Sequence, residues 1–546
     1  MFSELVFCPI IAKSGCLGKD FPFTNGDSWF IILLMVKIPV KVKLPFLWGR
    51  AVFSKSEWSH INLVVGPNGS GKTLLVDAIS AQFAEAGYSI KFLRADRGSD
   101  SESISILQEN EAIREKVQTV LSSMFGKTFV FKMTGEGAYI PVVENRAWNV
   151  EYNLQEVECH GLKEIITLLV ALYANTGNTC LVFDEPELHL HPQFQQFFAE
   201  ELRRVSSRHP KRVYFVITHS PFFIDLRFPE DLLGVIVCHI NREPTHIDSL
   251  SKNDAMLFRR FLPRFNTYHK QFFFSDNQIF VEGYTDQQMF TYLLPYIHNS
   301  YSSVGTGIID VGGKDELGVF CKVCALLGTD GRIITDLDSL FSGKLRDVFC
   351  NDERVMQWLE KQEERQQDFY KTIFTQKELA QKITLEKLIL KLEKYLIMTG
   401  RYICSYRGSV PRKLRVFFEK LNTIESKYNG AENIDTYKTV VLQGIMREGD
   451  ELKKIMPKNL AENLGIIKNL FYITVAGAEA ARVYILPKGC IEHYYTQSQI
   501  DYMPVSAKDK LFHTELEHLL HTSRKKIQKE YSGLIELLEK ACVRGN

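Results

Sequence analysis

Residues 61–86 place an apolar strand, Ile61 to Val65, a glycine-rich loop, Gly66-Pro67-Asn68-Gly69-Ser70-Gly71-Lys72-Thr73, and a helical stretch from Leu74 to Ala86 in immediate succession. That order is what a phosphate-binding loop requires. The loop's backbone amides gather at a helix N-terminus, where the peptide dipole also favours anions. Gly66, Asn68, Gly69, Ser70 and Gly71 are therefore read as the cradle, Lys72 as the group that reaches the β and γ phosphates, and Thr73 as a Mg²⁺ ligand. The flanking sequence alternates β-branched strands with helical stretches from about residue 35 to 250, the pattern of an α/β domain.

A second apolar strand, Leu181-Val182-Phe183, ends in Asp184 and Glu185. Asp184 suits the Mg²⁺ shell and Glu185 the base that activates water. His219, after the run Val213 to Thr218, is expected to sense the γ-phosphate. The wording Asp184-Glu185-Pro186-Glu187-Leu188-His189-Leu190-His191-Pro192, with Thr218-His219-Ser220-Pro221, resembles the chromosome-handling and defence branch of the ABC-type ATPases. That resemblance implies a homodimer, or a higher oligomer, in which paired heads sandwich ATP. Glu158-Cys159-His160-Gly161-Leu162-Lys163 stands where the signature motif is expected; it keeps Gly161 but lacks the usual serine, which implies assembly on ATP and leaves brisk hydrolysis open. The interval between Thr73 and Leu181 is too short for long coiled-coil arms, which need a residue for each ~1.5 Å. His189 and His191 have no further metal ligand at workable spacing and read as loop packing.

A separate set of acids lies downstream. Glu282 follows Gln278-Ile279-Phe280-Val281 and precedes Gly283, Asp286 lies one helical turn on, and Asp336 and Asp338 follow Ile333-Ile334-Thr335. Period-two alternation is expected to point Asp336 and Asp338 to one side. Carboxylates converging at strand ends are costly unless cations neutralise them, and hard oxygen ligands suit Mg²⁺ or Mn²⁺. Two such ions can activate a water and stabilise a leaving oxygen in phosphodiester cleavage.

These residues resemble a Toprim domain. With an ABC-type head in front, the arrangement is similar to the overcoming-lysogenisation-defect (OLD) family of ATP-dependent nucleases, which act in bacterial defence against phage. The resemblance implies ATP and Mg²⁺ as cofactors, DNA as substrate and a toxin-like effector role. Some relatives serve retron systems, which implies a reverse transcriptase and its RNA–DNA product (msDNA) as partners. Val311-Gly312-Gly313-Lys314-Asp315 fits the family's glycine-lysine turn. A late acidic ligand falls on Glu492, and a late lysine that balances charge at the scissile phosphate falls on Lys508 or Lys510. Competing readings are an ATPase switch or scaffold that cuts nothing, and a RecF-like repair ATPase that needs no Toprim acids.

The 546 residues exceed one core, and a net charge of +1 leaves any DNA surface a local patch. Eleven cysteines scattered through apolar runs read as reduced and cytoplasmic, and Cys321 with Cys324 as helix packing rather than a zinc site. Trp29 to Val36 is too short to span a bilayer, so no membrane is implied. Residues 1–34 are read as an upstream segment, with translation opening at Met35. The expected divisions are an ATPase domain at 35–250, an aromatic and basic connector at 251–277 read as interdomain packing, and a first Toprim part at 278–341. A helical insertion at 342–470 follows, in which Leu385, Leu388, Leu392 and Leu396 suggest a hairpin or short coiled coil. Residues 471–546 complete the Toprim unit and end in an amphipathic helix around Leu511 to Leu538.

Overall fold

The computed structural model describes residues 35–95, 101–135, 139–145, 148–157, 160–175, 177–240, 242–274, 277–297, 306–329, 331–428 and 434–543. The expected upstream segment and the start at Met35 therefore turn on residues outside the described ones, as do Glu158 and Cys159.

Strands β1 (Val36–Val42) and β2 (Phe53–Trp58) pair antiparallel at the edge of the ATPase domain. β3 (Ile61–Val65) leads into helix α1 (Lys72–Glu85), and β4 (Ser89–Leu93) follows. A separate antiparallel sheet holds β5 (Thr128–Met133), β6 (Tyr139–Asn145) and β7 (Val150–Asn153). Then come α2 (His160–Ala174), β8 (Thr179–Asp184), α3 (Pro192–Ser206), β9 (Arg212–Ile217), β10 (Val235–Val237) and β11 (Thr245–His246). The main sheet runs β11-β10-β3-β9-β8-β4 and is parallel except at β11.

Its strands are near-continuous apolar runs because both faces are covered. Alternation sorts neighbours into different cores: Val64, Cys180 and Val182 pack with Leu75, Val76 and Ile79 of α1. Leu63, Val65, Leu181 and Phe183 face the opposite way, against α2 and α3.

The connector opens with α4 (Lys252–Phe261) and a short turn at His269–Phe274. Phe261, Phe265, Phe272 and Phe273 are buried; the first three meet the Phe320 ring of the next domain, and Phe272 also meets Phe280. The aromatic residues are interdomain packing, joined in one apolar core with the ATPase domain on one side and the helical insertion on the other. The Thr245 hydroxyl adds a polar tie by donating to the Leu327 carbonyl.

The second domain begins with β12 (Gln278–Val281), α5 (Tyr284–Leu293), β13 (Gly307–Asp310), α6 (Lys314–Leu327) and β14 (Gly331–Thr335). Cys324 is buried under Gly331, and neither it nor Cys321 gathers other metal-binding groups among the described residues. The insertion carries α7 (Glu353–Ile373), α8 (Leu385–Ser405), α9 (Arg415–Lys427), α10 (Asp435–Ile455) and α11 (Lys458–Ala480). The expected hairpin is instead a bundle: the leucines of α8 are buried against α7, α10 and α11. The helical run also passes the expected boundary at 470, because α11 continues to Ala480 before β15 (Val483–Ile485) returns to the sheet.

That sheet runs β13-β12-β14-β15, parallel throughout. The C-terminal stretch is not one helix. α12 (Lys508–Leu520), α13 (Arg524–Glu530) and α14 (Ser532–Cys542) are separated by an extended Ser523 and a bend at Tyr531, which together let Leu519, Ile527, Tyr531 and Leu534 face one core. No helix among the described residues is long and apolar enough to cross a membrane.

Candidate functional site

The phosphate loop joins β3 to α1 at the C-terminal edge of the parallel sheet, the usual place for a ligand in such sheets. A side chain at Gly66, where φ is +138°, would collide with the Cys238 carbonyl, so the loop packs tightly on β10's extension. Lys72 is buried and donates to the Gly66 and Pro67 carbonyls at 3.2 and 3.0 Å, which holds its ammonium over the loop. Burial pushes its pKa down. Thr73 donates from Oγ1 toward both oxygens of Asp184, each at 3.3 Å. A hydroxyl and a buried carboxylate so placed have the chemistry to share a divalent cation. Asn68 and Gly69 form the exposed tip, while Ser70 is buried with no hydrogen bond to its Oγ among the described residues.

Beyond Asp184 the chain turns sharply. Glu185 takes φ +47°, a left-handed conformation costly for its type, and its N–H donates to Ile217 at 2.9 Å. The turn brings its carboxylate to 4.0 Å from Nε2 of His219. Burial, and then the nearby Lys72, push the His219 pKa down to about 4, so the imidazole is neutral at pH 7. Glu187, which drew no role from the sequence, fixes this corner: it accepts from the Thr218 hydroxyl at 2.8 Å and the His219 N–H at 2.6 Å. His191 caps α3 by accepting from Gln193 at 3.4 Å, and Gly161 lies beneath the His189 carbonyl of the same head. The histidines thus do packing work.

The second centre forms where β12 and β14 end side by side. Carboxylate oxygens of Glu282, Asp336 and Asp338 all lie within 4.8 Å of one another. β14 ends at Thr335, so Asp336 and Asp338 are not alternating strand residues: Asp336 caps a single 3-10 turn that contains Asp338. The turn, rather than the pleat, points both inward. Glu282 is held by the Thr335 hydroxyl at 2.6 Å and the Asp336 N–H at 3.0 Å.

Asp286, in the first turn of α5, is buried beside this cluster; burial, then Glu282 and Glu492, push its pKa up to about 7. Burial, then Glu282 and Asp286, raise Asp336 well above the carboxylate range. Glu492 is fully buried after β15, with the Lys508 ammonium as its ion-pair partner.

Two lysines close the cluster. Lys508, at the start of α12, stands 3.3 Å from Glu492 and 3.8 Å from Asp336. Burial would depress its ammonium, but Asp336 and Glu492 outweigh that and hold it charged. Of the two lysines left open by the sequence, Lys508 is the one placed here. Lys314, at the start of α6, lies 3.0 Å from Asp338. The sequence offered it only as part of a glycine-lysine turn, and the sheet order that puts β13 beside β12 gives it this reach. Crowded carboxylates, of which Asp286, Asp336 and Glu492 are buried, fit divalent cations.

A family described as overcoming lysogenization defect protein-like, TOPRIM domain, matches residues 273–338. An AAA domain family, described with the AbiEii toxin of a Type IV TA system, matches residues 155–225. The chain is 25% identical over 166 residues to the OLD nuclease of Thermus scotoductus, covering 29% of this chain and 30% of that protein. It is 22% identical over 315 residues to the endonuclease GajA of Bacillus cereus, covering 52% of this chain and 42% of that protein. The chain therefore spans less than half the length of the curated relatives it matches. The chain thus carries an AAA-type ATPase domain followed by an OLD-like Toprim domain, and in that arrangement it is similar to the OLD-type nucleases.

Proposed function

We propose that this chain is an ATP-regulated, Mg²⁺-dependent DNA endonuclease. The observation that carries the reading is the convergence of Glu282, Asp336 and Asp338 at the ends of adjacent parallel strands, with Lys314 and Lys508 on either side. Glu282, Asp336 and Asp338, with Asp286 and Glu492 behind them, would hold Mg²⁺ or Mn²⁺. Bound there, the ions would activate water and stabilise the leaving oxygen. Lys508 and Lys314 supply fixed positive charge where a phosphodiester gains negative charge, which favours the transition state over the resting phosphate.

In the head, Lys72 and the loop amides would bind the β and γ phosphates of ATP, Thr73 and Asp184 would hold its Mg²⁺, and Glu185 would take the proton of the attacking water. Neutral His219 is suited to donate a hydrogen bond to the γ-phosphate. Pairing of two heads on ATP, a role in defence against phage and a toxin-like effector action complete the reading. They rest on the ABC-type motifs and on the named nuclease relatives.

The test is cleavage of supercoiled and linear DNA with Mg²⁺ or Mn²⁺, with and without ATP. Metal-dependent cutting that responds to ATP is expected. A purified protein that cuts neither substrate under any of these conditions would overturn the reading.

A further inference from the structure

Glu492 and Lys508 reach the metal-binding cluster from segments that belong to no strand of the sheet. Their carriers are the turn 488–493 after β15 and the stretch 501–507 before α12. Loops of this kind need an external brace if a carboxylate and an ammonium are to stay in place. One face of the turn is tied to the sheet, because the Leu337 N–H, between Asp336 and Asp338, donates to the Gly489 carbonyl at 2.7 Å. Its other face meets Gln443, midway along α10 of the helical insertion.

Gln443 is only 2% exposed, a polar residue inside the apolar run Val440-Val441-Leu442-Gln443-Gly444-Ile445. Its amide donates from Nε2 to the Lys488 carbonyl at 2.7 Å and accepts at Oε1 from the Met503 N–H at 3.0 Å. The same nitrogen lies 3.2 Å from Nε2 of His493. One side chain thus bonds the backbone on both sides, before Glu492 and before Lys508. Gly489, at φ +137°, has no room for a side chain because Gln443 fills that space. One turn further along α10, Arg447 donates to the Asp501 carbonyl and covers the Tyr502 ring at 4.9 Å, which braces the second segment again.

We propose that Gln443 is a positioning residue of the Toprim centre: it ties the Glu492 turn to the segment that leads into Lys508 and so sets their spacing from Asp336. This rests on the reading of that centre as a metal site. It also gives the helical insertion a task, since α10 is the element that carries the brace. A neutral amide is the suitable group, because it donates to one backbone segment and accepts from the other without adding charge beside the carboxylates. Losing it strands a buried carbonyl and a buried N–H, which then pull the two segments toward other partners.

The test uses Gln443→Met, which preserves volume and removes both hydrogen bonds, alongside Gln443→Glu, which keeps the acceptor for Met503 and loses the donor for Lys488. Mn²⁺ binding is titrated by the paramagnetic signal of the free ion in nucleotide-free protein, and cleavage is measured against metal concentration. Gln443→Met is expected to weaken Mn²⁺ binding and shift the metal midpoint of cleavage upward by about 10–100-fold, as for other groups that orient metal ligands. Gln443→Glu, which sets a charged oxygen against the Lys488 carbonyl, should weaken binding at least as much. ATP turnover should be unchanged, and excess Mn²⁺ should restore cutting, which it could not do for a misfolded protein. An unaltered Mn²⁺ midpoint in Gln443→Met overturns the proposal while leaving the nuclease reading intact. Loss of ATP turnover together with metal binding overturns it in favour of a core role. Absence of Mn²⁺ binding in the wild type overturns both this proposal and the metal-site reading. Mn²⁺ binding without cleavage defeats the nuclease reading alone.

Discussion

The ring of His219 lies 6.1 Å from that of Phe274, centroid to centroid. His219 stands 4.0 Å from the Glu185 carboxylate, and Phe274 ends the connector turn that precedes β12 and Glu282. The same turn is fastened to the Toprim sheet by Tyr268, which donates to the Ile308 carbonyl at 2.8 Å, and by His269, whose Nε2 is 3.1 Å from the Asp310 carbonyl. The His219 ring therefore has a short packed route to the second centre.

Phe274→Ala is expected to uncouple the two activities. The side chain is only half-buried, so the fold should survive, and ATP turnover should persist. Cleavage should lose its response to ATP. An ATP effect on cutting equal to that of the wild type would show that coupling takes another route.

Lys72→Ala should abolish nucleotide binding, because it removes the charge that meets the β and γ phosphates. Glu185→Gln should bind ATP but leave the water unactivated, so ATP-bound heads accumulate as a dimer. Size-exclusion chromatography with and without ATP reads this, and assembly indifferent to ATP in Glu185→Gln counts against paired heads.

Asp336→Ala, Asp338→Ala and Glu282→Ala should each lower DNA cutting by more than about 100-fold, since even groups behind a metal's ligands cost 10–100-fold. ATP turnover should stay near wild type, because the residues proposed for that site, Thr73 and Asp184, lie in another domain. Normal cutting by the Asp336 and Asp338 variants would refute the assignment.

Chelation offers an independent measure. Glu282, Asp336 and Asp338 are crowded, so a bound cation should stabilise the folded chain. Mn²⁺ at about 100 times its Kd should add ~2.7 kcal/mol, seen as a rise in the unfolding midpoint that EDTA reverses. In Asp336→Ala most of that rise should vanish; a full rise there would place the ion elsewhere.

Phe272→Ala should behave differently from every variant above. Phe272 is fully buried against Phe273, at 4.1 Å between ring centroids, and touches Phe280 and Phe320. The cavity should cost ~3–5 kcal/mol and impair both activities together. Retention of stability, measured by urea unfolding, would mean the connector is not core.

The nucleotide site was legible in the chain because its parts are local. Gly66 to Thr73 are consecutive, their amides converge by backbone geometry alone, and Asp184 and Glu185 announce themselves by ending an apolar strand. Glu282, Asp286, Asp336 and Asp338 were equally visible at strand ends. Tertiary structure decided what no short segment encodes. Placing β15 beside β14 brings Glu492 and Lys508, rather than Lys510, to Asp336, and the β13–β12 pairing brings Lys314 to Asp338. Gln443 looks like any amide in a helix until α10 packs behind the Glu492 turn. Sequence determines which groups a strand end or a loop can present; reach between segments far apart in the chain follows from sheet order and helix packing, which depend on the whole core.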